Sequence, residues 1–507
     1  MRETVGVTAD DSQRGVVFPE VGGVRSTSAV GRGVVADALR AVDAVGARGA
    51  EGDTNWHRGY LVHFRRLVEA GLLSRDAALT IAHDGLASLY ARMRFVGRDG
   101  ELPVNQAVDG GLGEADGESL RTVTVKGEAS PQRELAVPYR GERLRGDALL
   151  RQLDTWVAGG IIEASCGEAV RLVAANPDWL DLSGTRVVVV GAGAEMGPLT
   201  ALLRWGAEAV AVDLPRPDLW QRILATARRH GGTLHVPVSS LGSASGAGST
   251  GTGVDLDRRA GADVLHDLPR VAGWLADLDG PVVLGNYVYA DGATHVRVAM
   301  AVDALATHLL ASRSDIALAL LATPTDVFAV PREAVAEATA RYAQAHGVGR
   351  VRRPLRLLSA GRLLARNYAP DADPGINDSL VPQQGPNYAL AKRLQRWRAT
   401  VARDAGIPVS LRVAPATRTR SVVRNRLLAA AYSGAHRFGI EVFQPATSNT
   451  LMAAVLVHDL VTRPAAAAHP WQDEAHAAAH GGLWRQPYAP RSVLGIAVLL
   501  GLGGARS

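Results

Sequence analysis

Arg186-Val187-Val188-Val189-Val190-Gly191-Ala192-Gly193-Ala194-Glu195-Met196-Gly197 is the stretch on which the fold turns. Four consecutive valines make a run too short for a helix and suited to a strand buried on both faces. The glycines break that strand, and residues 196–205 then have helical spacing. The same rhythm continues outward. Residues 209–212 read as a strand, 217–229 as a helix and 233–238 as a strand. The Gly/Ser-rich segment 239–253 reads as a flexible surface loop. A helix near 264–278, a strand at 281–284, a helix at 295–311, a strand at 316–321 and a helix at 332–346 follow. Such alternation predicts an α/β fold, a doubly wound parallel sheet with helices on both faces.

Upstream the pattern differs. Residues 1–30 read as a loose, polar leader without the apolar core of a signal peptide. Residues 34–45, 61–72 and 76–95 have helical spacing, 101–133 is loop-like around a short strand at 122–126, and helices resume at 144–157 and 161–175. The expected organisation is a mainly helical N-terminal extension over 1–180, the sheet domain over 181–460 with an insertion at about 324–378, and a C-terminal cap over 461–507.

Bulk properties narrow the function classes. The net charge is only +5 and aromatic residues are 5%. The densest basic cluster, Arg350, Arg352 and Arg353, is short, so nucleic-acid binding has little support. Cys166 is the one cysteine of the chain. It excludes an intrachain disulfide or a thiolate metal cluster and fits a reducing cytoplasm. The late apolar run 493–502 is too short to cross a bilayer. The expectation is a cytoplasmic protein with no membrane partner. His476 and His480 share a helical face, but without a third ligand no metal site is expected, and exposed or capping histidines are.

In the glycine turn, Gly191 permits the tight bend, Gly193 lets backbone approach a pyrophosphate, and Gly197 allows close helix packing, with the helix N-terminus offering free N–H groups. Asp213 ends the second strand about 20 residues on, where a carboxylate accepts from ribose hydroxyls. That favours NAD, while Arg216 nearby keeps NADP open. S-adenosylmethionine is the rival ligand for this segment.

Gly385-Pro386-Asn387-Tyr388-Ala389-Leu390-Ala391-Lys392 carries the second signal. The chain holds 55 lysines and arginines, of which Lys126 and Lys392 alone are lysine. A lysine retained against that background is a candidate for work needing a compact ammonium with a tunable pKa. On a helix, Tyr388 and Lys392 lie one turn apart on one face. An ammonium beside a phenol brings its pKa down toward neutrality. Leu390, Leu394, Trp397 and Val401 form an apolar stripe on the opposite side. The helix ends at Gly406, and residues 407–413 read as the next strand.

Together these segments resemble the short-chain dehydrogenase/reductase family over roughly residues 183–460, a Rossmann-type NAD(P)-binding fold. Gly191, Glu195 and Gly197 match its G-x-x-x-G-x-G turn, with Glu195 replacing the middle glycine. Asp263-Val264 looks like the adenine-contacting Asp-Val pair, and Asn286 matches the Asn-Asn-Ala-Gly stretch at one position. Tyr388 and Lys392 fall on the Tyr-x-x-x-Lys pair, and the segment around Pro415 resembles Val-Ala-Pro-Gly. The resemblance implies carbonyl–alcohol interconversion on a small molecule with NAD or NADP. Tyr388 would be general acid/base, and Lys392 would lower its pKa and hold the nicotinamide ribose. Asn286 would support Lys392 through a water or backbone link, and Ser379 would bind the reacting oxygen. Ser379 is only nine residues before Tyr388, closer than the family's usual gap, so Thr323 or Thr325 could supply that hydroxyl instead. Tyr287, Tyr289 and Asp291 read as pocket lining or as core and turn. Trp471, Trp484 and Tyr488 read as packing a cap or a subunit contact, which leaves a homo-oligomer open. Two other function classes stand beside this one: a nucleotide-binding regulatory or scaffold protein without turnover, and a methyltransferase.

Overall fold

The computed structural model describes residues 14–98, 100–113, 119–239, 256–344 and 352–504. Apart from Ser239, the Gly/Ser segment 239–253 lies outside these residues, as do residues 1–13 of the leader. Nine strands matter for the site: β1 (Leu120–Lys126), β2 (Arg186–Val190), β3 (Glu208–Val212), β4 (Thr233–Ser239), β5 (Val282–Asn286), β6 (Ile316–Ala322), β7 (Val327–Val330), β8 (Gly375–Asp378) and β9 (Val409–Val413). Seven of them form one sheet in the order β9-β6-β5-β2-β3-β4-β1. Every neighbouring pair is parallel except β4–β1. The chain winds outward from β2 through β3 to β4, then crosses back to β5, β6 and β9. This is the doubly wound arrangement expected from the alternation, with its reversal between β2 and β5.

Side-chain alternation along these strands divides the interior into two cores. Val188, Val190, Val210, Val212, Leu284 and Leu318 face one side, where they meet helices α7 (Leu268–Ala276), α8 (Ala293–Ser312) and α9 (Pro386–Asp404). Val187, Val189, Ala209, Ala211, Leu234 and Val283 face the other, against α4 (Ala164–Ala175), α5 (Leu199–Trp205), α6 (Pro217–Arg228) and α11 (Pro445–Thr462). The N-terminal helices α1 (Thr27–Arg40), α2 (Trp56–Gly71) and α3 (Arg75–Arg92) form a further layer over α9.

Two local readings change. The strand expected at 122–126 is longer and is the seventh strand of the main sheet. It pairs antiparallel with β4 from Thr233↔Lys126 to Ser239↔Leu120. It covers a row of backbone donors and acceptors that would otherwise form an open edge. The stretch read as an extension therefore contributes directly to the sheet. The helix after the glycine turn begins at Leu199 rather than at 196. Ala194 donates to the Gly191 carbonyl and Gly197 to that of Ala194, so successive turns run up to Pro198, which has no N–H to donate.

Helix α9 is also more deeply set than its sequence suggests. The apolar stripe is inside as expected, with Trp397 lying flat over the space a side chain at Gly85 would need. Its arginines are inside too. Arg393 and Arg396 both reach the buried Asp326, at 3.1 and 2.7 Å, and Arg396 pairs with Glu474 at 2.6 Å. Arg398 pairs with Asp303 at 2.7 Å, and Tyr90 of α3 donates to the same carboxylate. Three carboxylates from other parts of the chain let a polar helix be buried on all sides.

Candidate active site

An open cleft of about 1480 Å³ lies along the carboxyl ends of the parallel strands, where strand order reverses. Crevices at this place in a doubly wound sheet are formed because the loops after neighbouring strands diverge to opposite faces. Its walls include Gly191, Gly193, Asp213, Asp263, Asn286, Ser379, Tyr388, Lys392 and Pro415. Nine of the ten site residues expected from the sequence thus share one cleft. Gly197 is not among its walls, and it precedes α5 by two residues.

The nucleotide half begins at the turn after β2. Gly191 has φ +85°, and a Cβ there would press on the backbone of Tyr287 and Val288, so glycine is required. The turn's amides are largely engaged. Gly191 and Ala192 donate to the Val212 carbonyl, and Gly193 donates to Asp213 Oδ2 at 2.7 Å. The helix whose free amides were expected over a pyrophosphate begins later, at Leu199. Asp213 accepts from Gly193 and, through Oδ1, from Leu214 at 2.8 Å, and burial raises its pKa. Arg216, also at the cleft wall, pairs with Asp218 at 2.8 Å. Glu195 holds Arg420 of the loop after β9 at 2.9 Å, so this loop is tied across the turn. Asp263 caps its own turn, accepting from Leu265 at 2.9 Å and contacting His266 Nδ1 at 2.8 Å.

The chemical half lies around Tyr388, in the first turn of α9. His295 of α8 stacks on its ring, with centroids 5.3 Å apart and planes within 10°. Tyr289 meets it edge-on at 6.4 Å and donates to Asp291 at 3.0 Å. Burial pushes the Tyr388 phenol above its ordinary value, the neighbouring Thr323 hydroxyl draws it partly back, and Asp326 raises it. Lys392 does not point at the phenol. Its Nζ donates to the Leu321 carbonyl at 3.2 Å and to Gln395 Oε1 at 3.1 Å. Burial brings its pKa down to about 8, against the opposing pull of Asp326. The expectation that the ammonium lowers the Tyr388 pKa is therefore corrected: both groups are drawn toward neutrality by burial, through separate contacts.

The hydroxyl assignment changes as well. Ser379 donates to Asn377 Oδ1 at 2.5 Å and is buried in the β7–β8 region. Thr323, just past the end of β6, is the hydroxyl next to Tyr388, and it also contacts Thr325 at 2.9 Å. Asn286 ends β5 and its carboxamide oxygen accepts from Val288 at 3.4 Å.

His295 was missed by the sequence reading. Its Nδ1 accepts from the Ala290 amide at 3.1 Å, which assigns the ring proton to Nε2. Nε2 is buried without a partner, although the side chain borders the cleft. Burial and the Lys392 charge pull its pKa down to about 3, so the ring stays neutral. No spacing rule marks a histidine nine residues beyond a strand. The aromatic cluster Tyr287, Tyr289 and His295 after β5 was the available signal. The C-terminal histidines are structural: His480 is buried against Glu163 at 2.9 Å and stacked on Trp484, and His469 caps a short helix.

No family model matches this chain, and no curated protein matches it. Among solved structures, it is similar to a thiolation-reductase di-domain from an archaeal non-ribosomal peptide synthetase, at 11% identity and a TM-score of 0.27. The match covers 54% of this chain and 52% of the other, so this chain spans about half the length of that structure. Among the described residues, no helix is long and apolar enough to cross a membrane.

Proposed function

We propose that this chain is a nicotinamide-dependent reductase that converts a carbonyl group to an alcohol, with Tyr388 as the proton donor. One observation carries the reading. His295, Tyr388, Thr323 and Lys392, from three elements, gather at one wall of a cleft at the reversal of strand order.

The residues suit the adenosine ribose of such a cofactor better than its pyrophosphate. Asp213 accepts two amides and retains lone pairs for ribose hydroxyls, whereas the turn's own amides are mostly engaged. A carboxylate here favours NAD, because it repels a 2′-phosphate. When bound, the reduced nicotinamide supplies a hydride to the carbonyl carbon.

The remaining work falls to side chains. As the C=O π electrons move onto oxygen, Tyr388 gives that oxygen its phenolic proton, and solvent in the open cleft later returns one to the phenolate. Burial keeps the phenol protonated, which is the form that reduction needs. Thr323 orients the phenol, and the unpartnered Nε2–H of His295 is a second donor for the developing negative charge. Burial, helped by the nearby Lys392 charge, keeps the His295 ring neutral, and Lys392 offers an ammonium for the nicotinamide ribose.

Titration with NADH and NADPH, following nicotinamide fluorescence, tests the reading. Binding should be tighter than about 1 mM, and NADH consumption with an aldehyde panel should vanish in Tyr388→Phe. Neither nucleotide binding would overturn the proposal. Binding without turnover would favour a regulatory or scaffold role, and S-adenosylmethionine binding in their place would favour methyl transfer.

A further inference from the structure

The cleft is larger than the about 300–1,000 Å³ usual for small-molecule sites, and one end of it is made of different material. Past Tyr388 its walls are Leu428, Ala431, Phe438, Val493, Leu494 and Ala497, from α10 (Arg426–Ala435), the turn after it, and α12 (Pro490–Gly504). Tyr432, on the same helix, joins this end to the chemical half. Burial raises its phenol to about 12.

The two helices hold each other at backbone distance. A Cβ on Gly434 would overlap the Ala497 carbonyl, and one on Gly501 would overlap that of Ala430. Their mutual packing uses small residues, while the larger side chains Leu428, Tyr432, Val493 and Leu494 border the cleft.

One buried polar group interrupts this apolar lining. Gln486 is 1% exposed, and its Oε1 has no hydrogen-bond partner. Its Nε2 donates to the Gly482 carbonyl at 3.4 Å, so exchanging oxygen and nitrogen would set two acceptors face to face. The unmatched atom is an acceptor, and a buried acceptor without a donor is costly.

We propose that the substrate reduced at Tyr388 is a carbonyl compound with a long or bulky apolar body that lies between α10 and α12 and carries a hydroxyl for Gln486. The inference rests on the reductase reading, but its binding part can be measured without turnover. Each methylene moved from water into such a groove strengthens binding by about three- to fourfold. Hydroxyl-bearing carbon chains occupy it without needing a reactive carbonyl.

The test is displacement of 1-anilinonaphthalene-8-sulfonate fluorescence from the full chain by straight-chain alcohols. Dodecanol should displace the dye at least about a hundredfold more tightly than butanol. Leu428→Glu and, separately, Leu494→Asp should erase most of that difference while NADH binding persists. Among α,ω-diols of six to twelve carbons, at least one should bind about tenfold tighter than the mono-alcohol of equal length. That advantage should disappear in Gln486→Met. Affinity independent of chain length, or unchanged by both groove variants, would overturn the apolar body. Diols with no advantage, or one retained in Gln486→Met, would overturn the hydroxyl. Chain-length dependence in a protein that binds no nicotinamide would sink the reductase reading and leave the groove standing.

Discussion

The imidazole of His295 lies almost parallel to the phenol of Tyr388, with ring centroids 5.3 Å apart. Two aromatic rings held this way fix each other's orientation, and the contact spans the first turn of α8 and the first turns of α9. His295 therefore combines a packing role, through its ring face, with a chemical one, through Nε2–H. Substitutions separate the two. His295→Phe keeps the stack and removes the donor, and should lower kcat/KM for aldehyde reduction by about a hundredfold with NADH binding intact. His295→Ala should additionally broaden the aromatic near-ultraviolet circular dichroism of the site. A phenylalanine variant as active as the parent would confine His295 to packing.

Thr323 and Ser379 give opposite expectations. Thr323→Val removes the hydroxyl beside Tyr388 and should reduce turnover by at least about tenfold. Ser379→Ala removes a buried bond to Asn377, costing about 1 kcal/mol of stability with turnover retained. Steady-state kinetics and thermal melts on the two variants decide between them.

Burial draws Lys392 down to about 8 from its ordinary value of 10.5. Between those values the unfolded chain holds a proton that the folded chain has released, so stability rises with pH across this window. Below it the full cost of burying the ammonium is present. Urea unfolding of the parent should show this rise between pH 8 and 10.5, and Lys392→Met should flatten it. Lys392→Arg should lose at least about tenfold in turnover, since a planar guanidinium cannot keep both the Leu321 and Gln395 contacts.

Asp326 holds two arginines in the interior. Burial alone would raise its pKa, but Arg393 and Arg396 keep it below the usual carboxylate value. A depressed carboxylate contributes stability above its unfolded pKa and loses it as pH falls through the folded one. Asp326→Ala should cost about 3–5 kcal/mol by leaving the buried Arg393 unmatched and Arg396 with Glu474 alone, and should remove part of the acid sensitivity. A melt indistinguishable from the parent's would show the arginines re-paired elsewhere.

The parallel sheet was legible because Arg186–Val190 and its successors are nearly unbroken apolar runs separated by glycines, and such runs fit strands buried on both faces. Strand β1 was visible as a short strand, but its partner was not. Nothing local in Leu120–Lys126 says that it pairs with a segment more than a hundred residues later. Helix α9 was found from its stripe, yet its burial depended on Asp326, Asp303 and Glu474, whose proximity is a tertiary fact. The Tyr388–Lys392 spacing correctly placed both residues on one helix at one cleft. Which way the ammonium points was decided by the Leu321 carbonyl and Gln395, and that choice leaves no trace in the spacing.

The scarcity of lysine has a practical consequence. Lys126 is exposed on the outer strand β1, and Lys392 borders the cleft with a pKa of about 8. Toward an amine-acylating reagent at mildly alkaline pH, the side chains thus offer one solvent-facing site and one site inside the cleft. The ratio of modification at the two positions, read by peptide mass spectrometry, is an internally calibrated gauge of cleft occupancy. It requires no tag, no engineered cysteine and no knowledge of what the occupant is.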